Sequence, residues 1–134
     1  MTVITKTIEI NSKGENDMVD IIVQTLRTIL KSKLGNGIVT IFVSGSTAAI
    51  TTIEYEPGLR RDFPKTLNRI IPKDIEYKHD ETWHDGNGHS HVRASLIGPS
   101  LTVPFKDIEP LSQNLDCYML SNYYLLFDQK QIHM

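Results

Sequence analysis

An α+β domain with mostly antiparallel strands and two main helices is what this sequence predicts, on three observations. Short β-branched runs and two stretches of helical periodicity follow one another in the order strands, helix, strands, helix, strands. The connections are mostly short, which suits antiparallel neighbours better than a repeated βαβ winding. At 134 residues the chain has the length of one ordinary domain, spanning 1–134, able to bury about two-thirds of its unfolded surface around one core.

From Val3 to Ile10 the chain is rich in threonine and isoleucine, with Ile4, Ile8 and Ile10 on one parity, so a first strand is expected there. A polar break at Asn11 to Asn16 follows. Met18, Val19, Ile22, Val23, Leu26, Ile29, Leu30 and Leu34 then recur every three or four residues, predicting one helix of about five turns stopped by Gly35. Gly37 to Val43 and Ala48 to Glu54 are β-branched runs joined by Ser44-Gly45-Ser46-Thr47. After a Pro57-Gly58 turn, Leu59, Phe63, Leu67, Ile70 and Ile71 mark a second helix ending before Pro72. Val92 to Ile97, Leu101 to Phe105 and roughly Leu115 to Phe127 read as strands, with Gly98-Pro99-Ser100 as the turn between the first two.

Fourteen basic and sixteen acidic residues give 14 − 16 = −2, with both signs scattered, so a broad basic face for nucleic acid or anionic membranes is not expected. No apolar run approaches the ~20 residues that span a bilayer, and the N-terminus lacks the pattern of a secretory signal. Cys117 is the only cysteine, which excludes an intrachain disulfide and a cysteine-rich zinc ribbon. A soluble, cytoplasmic protein is expected, and any metal must be held by imidazole and carboxylate.

Chemistry concentrates in His79-Asp80-Glu81-Thr82-Trp83-His84-Asp85-Gly86-Asn87-Gly88-His89-Ser90-His91, which holds four of the five histidines and the only tryptophan. Imidazole is the commonest protein ligand for transition metals and titrates near neutral pH, so this crowding serves metal binding or proton transfer better than packing. If Ser90 opens a strand, His89 and His91 point to one face and can converge on one ion. The Gly86-Asn87-Gly88 turn brings back His79 as a third ligand. Three nitrogens and a water make an open zinc site of catalytic type, although nickel, cobalt and copper also accept imidazole. Asp80 and Asn87 stand behind the ligands as orienting groups, and Asp85 is a candidate general base. Glu54, closing its strand, is a second candidate for proton transfer. Arg93 shares a strand face with His91 and could clamp a phosphate with two N–H groups. His84 and His133 are assigned no role, and Cys117 reads as a buried filler.

Ser46-Thr47-Ala48-Ala49, Glu54 in Thr-Ile-Glu-Tyr-Glu-Pro-Gly-Leu, Tyr77-Lys78-His79-Asp80, the block from Asp85 to Ser95, Leu96-Ile97-Gly98-Pro99-Ser100 and Val103-Pro104 together resemble the YjbQ-like family, often labelled secondary thiamine-phosphate synthase. The similarity runs in consistent order from about residue 37 to 105. It implies a single-domain, two-sheet β-sandwich, a homotrimer, and a metal or phosphate site on the His79 to His91 region. It also implies thiamine-phosphate synthesis, as a side activity. The same resemblance raises Ser46 and Thr47 from an ordinary strand connection to an anion-binding turn.

Two departures from the family pattern stand out. Gly45 replaces a histidine of many relatives, for which His89 is expected to compensate, and Asp116 to Tyr124 replaces a Gly-Thr-Trp-Gln strand. With no Walker-type loop and no set of acidic magnesium ligands, a dedicated pyrophosphate-releasing synthase is not expected. The functional expectation is a metal-dependent enzyme acting on a small phosphorylated or anionic metabolite. The alternatives are a noncatalytic homotrimer that binds metal or metabolite, and a structural metal at a subunit boundary.

Overall fold

The computed structural model describes residues 2–106 and 123–127. Within them lie β1 (Asp17–Asp20), α1 (Ile22–Ser32), β2 (Gly37–Phe42), β3 (Ala48–Thr52), α2 (Leu59–Ile70), α3 (Lys78–Trp83), α4 (Gly88–Ile97), β4 (Ser100–Phe105) and β5 (Tyr123–Phe127). The strands form a three-stranded sheet, β1-β5-β3, and a two-stranded sheet, β2-β4. All pairs are antiparallel, with Asp17 and Ala48 both opposite Phe127 and Gly37 opposite Phe105. The domain is α+β as expected, but with four helices among the described residues where two were read.

Three expected elements change. The segment from Val3 to Ile10 forms no ladder with the described residues; Ile10 is nonetheless buried with Ile21, Val43, Ala48 and Ile50, and Ile8 packs against that group. Among the described residues its alternation serves packing, through Ile8 and Ile10. The first helix is shorter than its apolar periodicity, because Met18 and Val19 belong to β1, opposite Leu126 and Leu125. The Asp20 carboxylate accepts the Ile22 N–H at 2.8 Å and so marks the start of α1. The helix stops at Lys33, which takes the left-handed conformation at φ 59° and donates its N–H to Leu30, ahead of Gly35. The third change is decisive for the site: Val92 to Ile97, expected as a strand, is the second half of α4. Of the strand expected over residues 115–127, β5 is described, and the part with Cys117 lies outside the described residues.

Packing explains how α4 is placed. Leu26 and Ile29 of α1 pack on Val103 and Phe105 of β4. Met18 and Ile53 gather Leu59 and Phe63 of α2 with Ile97 of α4. Beyond α4, Gly98 turns at φ 102°, its carbonyl accepts the Ile50 N–H at 3.0 Å, and the Pro99 carbonyl accepts the Val43 N–H at 2.9 Å. The end of α4 is thereby tied both to β3 and to the chain just after β2. At the start of α2 the Glu56 carboxylate accepts the Gly58 N–H at 2.6 Å and that of Leu59, and these two bonds hold its pKa below the usual carboxylate range.

Candidate metal centre

The histidine segment folds as helix, turn, helix. Tyr77 is extended, and α3 runs for six residues until His84 enters the left-handed region at φ 57°, donating its N–H to the Asp80 carbonyl at 2.9 Å. Gly86, at φ 66°, reverses the chain again, and the Asn87 carbonyl accepts the N–H groups of Ser90 and His91 to begin α4. Two left-handed residues in three are what bring Asp85 back beside α3. The two helices lock together where the Gly88 N–H donates to Asp80 Oδ1 at 2.9 Å. Only glycine fits there: a Cβ on Gly88 would press against the Tyr77 Cβ and lie 2.9 Å from its Cγ and 3.1 Å from Asp80 Oδ1.

This packing brings ligand atoms of His79, Asp80 and Asp85 to within 4.8 Å of one another. His79 Nε2 stands 3.6 Å from Asp85 Oδ1, beyond hydrogen-bond reach, and is buried with no hydrogen-bond partner. The His91 ring lies against that of His79, with centroids 4.2 Å apart and planes tilted by 43°. Burial, and then the neighbouring His79, hold the His91 imidazole below its usual 6.5, against the opposing pull of Asp85 and Asp80. At neutral pH His91 is thus a neutral base, the form that can bind a metal. Donor atoms around one ion at about 2.0–2.2 Å stand roughly 3–3.5 Å apart, so the widest pair would have to close by about 1.5 Å, through side-chain rotation, for the group to hold an ion.

His89 does not share a face with His91, because both lie on α4 and not on a strand. Residues two apart on a strand share a face, whereas at about 100° per residue on a helix they point nearly opposite ways. His89 is 3 % exposed, turned into the protein, with its ring 6.2 Å from that of Tyr77 and its Nε2 3.2 Å from Ser90 Oγ and 3.6 Å from Glu15 Oε1. Arg93, one turn further along the same inner face, is also 3 % exposed. Its Nε and Nη2 donate to the Ile71 carbonyl, Nη2 also to Asn68 Oδ1, and Nη1 to Asn16 Oδ1. These bonds tie α4 to the end of α2 and to the turn before β1. Thr47 is buried and Ser46 exposed in the turn before β3, where the Ala48 N–H reaches the Gly45 carbonyl at 3.4 Å. Glu54 is exposed two residues beyond β3 and is not among the groups gathered at His79. Sequence reasoning set Asp80 behind the ligands, whereas its carboxylate stands among them. Helical spacing in Lys78–Trp83 would have been the signal, but six residues are too few to reveal it.

A family model described as UPF0047 protein YjbQ-like matches residues 6–116. The chain belongs to the YjbQ-like family. It is 35% identical over 104 residues to a UPF0047 protein of Methanocaldococcus jannaschii, covering 77% of this chain and 72% of that one. A UPF0047 protein of Methanothermobacter thermautotrophicus is 34% identical over 104 residues, covering 78% and 71%. Among solved structures, a YbjQ-like protein of unknown function from Sulfolobus solfataricus superposes with a TM-score of 0.77 at 27% identity, covering 94% of this chain and 87% of that one. A YjbQ/UPF0047 family protein from Clostridium acetobutylicum gives 0.75 at 25% identity, covering 95% and 94%. Similarity of this extent spans the sheets and the α3-α4 unit together.

Proposed function

We propose that this YjbQ-like protein is a metal-dependent enzyme acting on a small phosphorylated or otherwise anionic metabolite, with His79, Asp80 and Asp85 as the core ligands and His91 beside them. The observation that carries this reading is the gathering of donor atoms of His79, Asp80 and Asp85, together with a buried His79 Nε2 that has no hydrogen-bond partner of its own. A buried polar atom left unpaired costs about 1–3 kcal/mol, and an ion would satisfy it. Zinc is proposed as the resident metal, since mixed imidazole and carboxylate donors suit it. When bound, it supplies a Lewis acid for a substrate oxygen and an acidified water. His91, neutral at pH 7, accepts a proton at its ring nitrogen, and Asp85 beside it is partly exposed to solvent. Asp80 is positioned by the Gly88 N–H and keeps one carboxylate oxygen for the ion.

In the same reading the two sheets pack as a sandwich, the assembly is a homotrimer in the cytoplasm, and thiamine-phosphate synthesis is a weak side activity. These assignments are carried over from the family resemblance read in the sequence; separately, no helix among the described residues is long and apolar enough to cross a membrane.

The test is elemental analysis of protein purified without a histidine tag, for the wild type and His79→Ala, followed by turnover assays on phosphate esters, lactones and thiamine precursors. Stoichiometric metal lost in the variant, with turnover by the loaded wild type, is expected. Metal content unaffected by the substitution would overturn the site, and ligand binding without consumption would overturn the enzymatic role in favour of a binding protein.

A further inference from the structure

A second orphaned polar atom lies at the same junction. Asn87 is 7 % exposed, and its Oδ1 is buried without a hydrogen-bond partner. Its side chain does not cap the helix it begins. Everything nearby in the chain belongs to the metal centre: Asp85 is two residues before it, the N–H of the next residue, Gly88, binds Asp80, and His91 is one helical turn on. Buried amide oxygens are ordinarily paired. Acceptor-capable atoms without a hydrogen-bond partner on His79 and Asn87 thus stand on either side of one turn, and one ion would satisfy both.

We propose that Asn87 is itself a ligand, its amide oxygen closing the ion's coordination from the head of α4. This rests on the metal reading above and deepens it: the donor set becomes one of imidazole, two carboxylates and an amide oxygen. Such a set, oxygen donors with one imidazole, accepts zinc and manganese and disfavours thiophilic copper(I).

The test is zinc titration against a competing chelator for wild type, Asn87→Ala and Asn87→Asp, with thermal melts of each in the presence and absence of zinc. Asn87→Ala is expected to weaken zinc binding by about tenfold or more. Asn87→Asp, which keeps an oxygen in place and adds charge, is expected to bind at least as tightly as the wild type, while its metal-free form melts lower and recovers on zinc addition. A residue that merely shapes the turn would give the opposite pattern, with melts altered equally with and without zinc and affinities unchanged. Zinc affinity of Asn87→Ala within twofold of wild type, or equal weakening by both substitutions, overturns the proposal. If Asn87→Ala does not fold, Asn87→Asp decides alone. A wild type that takes up no zinc, or a His79→Ala variant that binds it normally, would instead defeat the metal reading and the Asn87 assignment with it.

Discussion

Gly88→Ala isolates the contact on which the α3-α4 unit depends. By helix propensity alone the change should stabilise, since alanine is better than glycine by about 1 kcal/mol inside a helix. Gly88 does not occupy the left-handed region, so no backbone strain opposes it. The new methyl group, however, would press against Tyr77 Cβ, which is fixed to the backbone and cannot rotate away, and would lie 2.9 Å from Cγ and 3.1 Å from Asp80 Oδ1. Carbon contacts are comfortable at about 3.5–4.0 Å, so α3 and α4 must part by roughly an ångström. Overpacking of this kind costs about 1–3 kcal/mol, and contact with a backbone-fixed atom belongs at the upper end. Less the propensity gain, the net loss is about 2 kcal/mol, or a fall in Tm of roughly 5–10 °C for a domain of this size. Urea unfolding and calorimetry measure it directly. Because Asp80 would be displaced from the Gly88 N–H, zinc affinity should fall as well. An alanine variant as stable as wild type would refute the account of how these helices meet.

Other outcomes follow from the same geometry. His91 has its acidity shifted so that the neutral form is favoured in the fold; stability is therefore complete above the unfolded value near 6.5 and declines as pH falls through it toward the lower folded value. Metal-free melts from pH 8 to 5 should show this decline, and His91→Gln should flatten it. Arg93→Lys removes the fork that serves the buried Ile71 carbonyl and Asn68, and should cost about 1–3 kcal/mol by urea titration, independently of added phosphate. A phosphate-dependent loss would mark Arg93 as an anion ligand instead.

Much of the frame was legible because local pattern and tertiary environment agree. β2, β3, β4 and α2 fall where β-branched runs, Pro57-Gly58 and Pro72 put them. The segment from His79 to His91 was recognisable by composition. Its geometry was not, because α4 inverts the usual amphipathic rule. Its buried face carries His89, Ser90, Arg93 and Ala94, while Val92 and Leu96 are 46% and 62% exposed. Apolar residues at 92, 94 and 96 therefore imitate the alternation of a strand, and that false period predicted a shared face for His89 and His91. A buried arginine and histidine are sustained by partners distant in sequence, Asn16, Asn68, Ile71 and Glu15, which no local pattern announces. The strand β1 was hidden for a related reason: Met18 and Val19 fit a helical period equally well, and only pairing with β5 decides the outcome.

The most direct measurement is anomalous X-ray scattering at the zinc edge from crystals of the zinc-loaded protein. The account predicts a peak between His79 Nε2 and the carboxylates of Asp80 and Asp85, within reach of Asn87 Oδ1. A peak at His89, or none near α3 and α4 at full zinc occupancy in solution, would contradict it.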